Sequence, residues 1–201
     1  EAGAFQAMNV IAGRLGASVV STYGIMLNLM AIVFMVALGL AAATAVLVSE
    51  AIGRQAPREA ARAGWTGIGL DAIAMIICAI VVVAFAPAIG RAYTADASLA
   101  ALLASFMWIA ALVLHPDGAQ VVAASALRAR GDNWFPTFSH LLSYAIVMPV
   151  LGWWLAEHQH MGVAGLMFAI FWASVLSAGV LLVRWWAIAA KPAKALAQAA
   201  D

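Results

Sequence analysis

"LVLHPDGAQVVAAS" occupies Leu112–Ser125, and its reading decides what kind of molecule this is. An apolar run interrupts itself with His115, Pro116, Asp117 and Gly118. In a water-soluble domain those four residues would be a turn between two core helices. In a lipid-embedded chain they would be an acid set inside a distorted transmembrane helix. The flanking composition chooses between these. Hydrophobic residues make up 66% of the chain and charged residues 9%, against about 25% charged in an ordinary soluble domain. So few charges cannot cover a folded surface in water, and the solvent of this chain is largely lipid.

A bilayer core about 30 Å thick takes about 20 apolar residues as helix. The apolar runs are too long and too evenly apolar for barrel strands, so the fold class is all-α. The expected spans are 1–13 (partial), 19–48, 65–86, 98–127, 136–155 and 163–186. They form one transmembrane lobe over 1–187, with a tail over 188–201. "EAIGRQAPREAARAG" (50–64) reads as a polar connector and "PAIGRAYTADA" (87–97) as a turn. The chain begins at Glu1, already in hydrophobic sequence, which predicts that its first span is only the second half of a helix.

The basic residues sort by side. Arg54, Arg58, Arg62, Arg128, Arg130, Arg184, Lys191 and Lys194 fall on one face of this map, and Arg14 and Arg91 on the other. The positive-inside rule makes the rich face cytoplasmic, and the tail with it. Net charge is +1, which offers nothing to nucleic acid, and the single Cys78 excludes disulfides within the chain and thiolate metal clusters. His115, His140, His158 and His160 form no metal-ligand constellation.

Charge inside a membrane is where function is sought, because an acid at a helix centre costs about 2.5–3.5 kcal/mol on insertion scales. Asp117 lies ~15 Å from the cytoplasmic end of its helix, and Glu1 ~18 Å before the opposite turn, at about 1.5 Å per residue. Both are at mid-depth. Asp71, only ~9 Å past Trp65, is expected to reach headgroup water. Pro116 deprives the Leu112 carbonyl of its helical donor and predicts a kink, and Gly118 permits close approach. Freed carbonyls beside a carboxylate suit a cation. Two mid-depth acids on one cavity can exchange a proton for a cation, which is the chemistry of an antiporter. Gln120, almost one turn after Asp117, leads the polar candidates for that cavity, followed by Gln6, Asn9 and Asn28; each can instead bridge helices. His115 is read as a residue capping the kink or meeting water.

A longer pattern then emerges. "EAGAFQAMNVIAGRLGASVVSTYGIMLNLMAIVFMVALGLAAATAVLVSEAIGR" (1–54) resembles the C-terminal half of the MATE (multidrug and toxic compound extrusion) transporters of the NorM-like branch. "YTADA" (93–97), "DGAQVVAASALRARGD" (117–132), "SYAIVMP" (143–149) and "MGVAGL" (161–166) continue the pattern in order. The resemblance implies one six-helix lobe, helices seven to twelve of a two-lobed, multi-pass transporter of the bacterial inner membrane. Its partners would be the lipid bilayer, the N-terminal lobe and cationic amphipathic small molecules, exported in exchange for Na⁺ or H⁺. No cofactor is implied beyond that coupling ion. By the same resemblance Glu1 and Asp117 bind the coupling cation. Some relatives carry an aromatic residue one turn before the second acid, and Val113 stands there instead.

Related families of this architecture include flippases for lipid-linked saccharides, which is the alternative. A pyrophosphate headgroup calls for cations in the cavity, whereas the mid-depth charges here are acidic. An intramembrane serine enzyme would need a nucleophile and a His at one depth. "GASV" (16–19) and His140 lie toward opposite sides, so the chain is read as no enzyme.

Overall fold

Glycine at the first turn sets the architecture in motion. The computed structural model describes residues 2–189 and 191, with side chains from Phe5 onward. Helix α1 (Ala2–Leu15) ends at Gly16, whose φ of 114° is strained for any side chain, and the chain reverses directly into α2 (Ala17–Gly53). α3 (Pro57–Ala84), a short α4 (Ala86–Tyr93), α5 (Ala97–Ala129), α6 (Trp134–His158) and α7 (Gly162–Ile188) follow. Five of these helices (α2, α3, α5, α6 and α7) are long and apolar enough to cross a membrane. Large apolar side chains such as Ile73, Ile80, Val183 and Trp186 stand exposed on their outer faces. That is the expected exterior where lipid is the solvent.

α5 is the central post, packed on α2, α3 and α7. Its buried residues include Ala110, Ala111, Gly118, Ala119, Ala123, Ala124 and Ala126. Small side chains let backbones approach closely, and in lipid that close packing replaces the hydrophobic driving force. Two apolar cores result. Met26, Met75, Met107, Val113, Met148 and Leu166 belong to one, and Val48, Ile68, Val122, Leu127, Leu181 and Trp185 to the other. Along α3, α5 and α7 the change from the first core to the second falls at Asp71, at Asp117–Gln120 and at Ser174–Ser177. A polar seam therefore crosses the lobe between two oily blocks.

Three expectations are corrected. The connector expected at 50–64 shrinks to the turn around Gln55, which has φ 57°. Pro57 starts α3 because the first helical turn has no need of its N–H. Hydropathy marks where lipid begins, whereas the helix begins in the charged sequence before it. The turn expected at 87–97 contains α4, held where Gly90 packs against the Ala100 carbonyl: an added Cβ would lie 2.5 Å from that oxygen. The helix break expected beside the site at Pro116 and Gly118 does not occur: α5 runs continuously from Ala97 to Ala129. Proline removes one hydrogen bond, but unravelling the turn would strand more backbone groups in a place without water.

The irregular helix is α6, with π-helical turns at Leu141–Val147 and Trp154–His158. Pro149 lies just beyond the first of them and cannot donate to the Ala145 carbonyl, so the preceding turn widens. At the basic end of the lobe, the buried Arg130 guanidinium donates to the carbonyls of Ala189 and Lys191, closing the last turn of α7. Arg184 pairs with Asp132 at 2.8 Å and lies over the Phe135 ring. Lys194 and the rest of the expected tail beyond Lys191 lie outside the described residues.

Candidate functional site

Asp117 sits on α5 inside the polar seam, and three helices converge on one of its oxygens. Gln120 Nε2 donates to Asp117 Oδ1 at 2.9 Å, Tyr144 Oη at 3.0 Å and Ser174 Oγ at 3.1 Å. Gln120 also donates to the Tyr144 hydroxyl, and the Tyr144 and Ser174 oxygens are 2.7 Å apart. Each hydroxyl has a single hydrogen. If Tyr144 gives its hydrogen to Asp117, Ser174 can give its own either to Asp117 or to Tyr144. The cluster is thus a small network whose hydrogens can be redistributed without moving a heavy atom. Tyr144 reaches the site from the π-helical turn of α6, where wider winding re-aims successive side chains.

Beside this network opens a cavity of about 650 Å³. Phe5 of α1 and Leu27, Met30, Phe34 and Leu38 of α2 form its apolar wall. Asp117, Gln120, Tyr144, His140 and Arg128 form its polar wall. Pockets for small organic molecules run from about 300 to 1,000 Å³ and are mostly apolar with a few placed polar groups. An amphipathic cation would find both of its requirements here, an oily wall and a carboxylate. Among the described residues no group of three or more His, Cys, Asp or Glu is placed to hold a metal ion.

The other candidates are distributed as follows. Gln120 is 4% exposed and bonded to Asp117. Gln6 and Asn9 are exposed on α1 and do not line the cavity. Asn28 accepts a hydrogen bond from Tyr93 Oη at 2.9 Å, bridging α2 to the end of α4. Pro116 and Gly118 are buried within α5, and His115 is exposed. Glu1 lies outside the described residues.

Asp71 requires a correction. It does not reach headgroup water: its relative exposure is 0%. α3 begins at Pro57, so Asp71 stands ~21 Å along the helix at about 1.5 Å per residue. There the missing side chain of Gly118 lets α3 and α5 meet.

Tyr144 and Ser174 were not foreseeable from pattern, because a Tyr and a Ser in apolar helices break no rule. His140 and Arg128, expected only near the cytoplasmic ends, line the cavity. The nearest thing to a signal for Tyr144 is Pro149 five residues on, which marks α6 as the helix to unwind.

Comparison with known proteins places this geometry in a lineage. The MatE family model matches residues 1–154. A probable multidrug resistance protein NorM of Caulobacter vibrioides is 42% identical over 200 residues, covering 100% of this chain and 42% of that protein. Its counterpart in Deinococcus radiodurans is 32% identical over 188 residues, 91% of this chain and 42% of the relative. The eukaryotic MATE transporter AtDTX14 superposes with a TM-score of 0.88 at 18% identity, over 95% of this chain and 43% of that one. An outward-facing multidrug resistance MATE family transporter of the MOP superfamily also gives 0.88, at 15% identity over 96% of this chain and 44% of that one. The chain thus spans about two-fifths of the length of the curated relatives it matches. With a family model matched over residues 1–154 and a relative 42% identical across the whole chain, the chain belongs to the MatE family.

Proposed function

We propose that this chain is one lobe of a two-lobed multidrug exporter and carries its coupling site. H⁺ or Na⁺ binds at Asp117, with Glu1 as the second acid, and its movement down its gradient drives efflux of cationic amphipathic compounds. The partner is the N-terminal lobe, the setting is the bacterial inner membrane, and the basic end of the helices, with the C-terminus, faces the cytoplasm. The carrying observation is Asp117 at mid-helix, held by Gln120, Tyr144 and Ser174 on the wall of a largely apolar cavity. A carboxylate there can be occupied alternately by the coupling ion and by the substrate's positive charge. Binding one then weakens binding of the other, and that competition is what exchange requires.

The lipid-linked-saccharide reading is less well supported. Arg128 is the cation on this cavity wall, and it stands ~16 Å along α5 from Asp117 at about 1.5 Å per residue. The centre of the cavity is acidic.

The test is gradient-driven uptake of a fluorescent cationic dye into proteoliposomes by the full-length transporter, wild type against Asp117→Asn. Asn preserves size and hydrogen bonding but carries neither charge nor exchangeable acid. Uptake is expected to fall to the undriven rate, with folding intact by thermal denaturation. Undiminished driven uptake in the variant would remove Asp117 from the coupling role.

A further inference from the structure

Behind the cavity lies a further acid, Asp71, that the exchange mechanism does not use. Asp71 is 0% exposed, and neither of its carboxyl oxygens has a hydrogen-bond partner among the described residues. Its carboxyl is set against the backbone of α5. A Cβ on Gly118 would lie 2.5 Å from Asp71 Oδ2, 2.8 Å from Oδ1 and 2.8 Å from Met75 Cγ. Glycine at 118 is therefore what makes room for the acid. Gly118 directly follows Asp117, so the two carboxyls stand at one level of the membrane on different sides of the same helix.

We infer that Asp71 is a separate proton-binding site of the lobe, neutral in this conformation, and that its proton is what allows α3 to lie against α5. The argument is one of compensation. A carboxylate removed from water must find donors or a counter-charge, or else take up a proton. Among the described residues no donor reaches Asp71. No ion pair among the described residues reaches it either, and the α5 residue beside Gly118 is Asp117, itself an acid. From α2 the packed side chain one turn away is Thr44, a hydroxyl set against Gly67 and bonded to its own helix at Leu40 O. α4 meets α3 only at its far end.

The consequence for the helices is direct. Ionising Asp71 requires water or donors at the α3–α5 contact, so proton loss and separation of the two helices are one event. The site of that event is next to Pro116, where α5 already lacks a backbone hydrogen bond. The proton on Asp71 is thus a resident one, tied to this packing rather than spent in each exchange. The inference does not depend on which cation drives transport.

Infrared spectroscopy of the full-length transporter in lipid bilayers near neutral pH tests this. The C=O stretch of a protonated carboxyl is expected in the wild type and in Asp117→Asn, and is expected to be lost in Asp71→Asn. A wild-type minus Asp71→Asn difference spectrum showing carboxylate stretches instead would overturn the inference. Should Asp71→Asn fail to assemble, Asp71→Glu serves: a displaced protonated-carboxyl band supports the proposal and an unmoved one refutes it. No transported substrate enters the measurement. A transporter that showed the Asp71 band but no driven dye uptake would therefore sink the antiport reading and leave this one standing.

Discussion

At the scale of single residues, the lobe concentrates its polarity on few atoms, and those atoms are shared. Tyr144 and Ser174 both serve Asp117 Oδ1 and also touch each other. Removing either hydroxyl lets the other rearrange, so their effects should not add. In a double-mutant cycle with Tyr144→Phe and Ser174→Ala, followed by thermal denaturation, the coupling energy is expected at about 0.5–3 kcal/mol, the range for residues in one network. Strict additivity would mean that the two do not act on a common acceptor. Asp117 announced itself in the sequence because an acid in an apolar run violates the local rule, and such violations gather at functional sites. Its partners could not announce themselves. A tyrosine or serine in a membrane helix is ordinary until the fold brings it within hydrogen-bonding distance of a carboxylate. Asp71 stands out as the same kind of violation, but its burial is not legible in the sequence, because it is made by a neighbour 47 residues away, the bare backbone of Gly118 on α5.

At the scale of elements, glycines decide where helices may touch. A Cβ at Gly165 would lie 2.6 Å from Ala156 N and 2.7 Å from the Leu155 carbonyl carbon, both backbone atoms that cannot step aside. Gly165→Ala should force α6 and α7 apart and destabilise the lobe by about 1–3 kcal/mol. Gly24→Ala, which faces open space, should be close to silent. Equal melting temperatures for the two variants would show that the α6–α7 contact is looser than described.

The start of α5 gives a pH-dependent case. Asp96 accepts from Ser98 Oγ at 2.6 Å and from the amides of Leu99 at 3.3 Å and Ser98 at 2.8 Å, capping the helix. The Ser98 hydroxyl first, and then these amides, hold its carboxyl below the usual range. Because the folded value is depressed, the cap is at full strength above the unfolded value of about 3.9 and fades as pH falls through the folded one. Amide exchange in the first turn of α5 should be flat from neutrality to about pH 4, after correction for intrinsic rates, and should lose protection below it. In Asp96→Ala the protection should be low throughout. The existence of the long helices was legible from apolar run length alone. α4 and the charged start of α3 were not, because hydropathy reports on lipid and is blind to helix outside it.

At the scale of the whole lobe, one end is tied shut. Arg130 on the C-terminal side of α5 donates to Ala189 O and Lys191 O beyond α7, and Arg184 on α7 pairs with Asp132 beyond α5. Each helix thus holds the other's terminus. Hydrogen bonds to charged groups contribute about 1.5–3 kcal/mol each. Arg130→Ala should therefore raise amide exchange in the last turn of α7 by at least about tenfold, some 1.4 kcal/mol, and leave the first turn of α5 unchanged. Uniform loosening would mean that Arg130 supports the fold as a whole rather than this junction.

The seam of Asp71, Asp117, Gln120, Tyr144 and Ser174 also divides the lobe mechanically. Interlocked apolar side chains resist sliding because every displacement opens a void. A layer of hydroxyls, amides and carboxyls resists less, since one hydrogen bond can be traded for another as the groups move past each other. The two oily blocks are therefore stiff and the plane between them is compliant. Bending energy delivered by the bilayer, by a bound molecule or by a neighbouring lobe will gather in that plane, at the depth where the acids stand. Strain applied anywhere on this lobe is converted into a change in the surroundings of a proton.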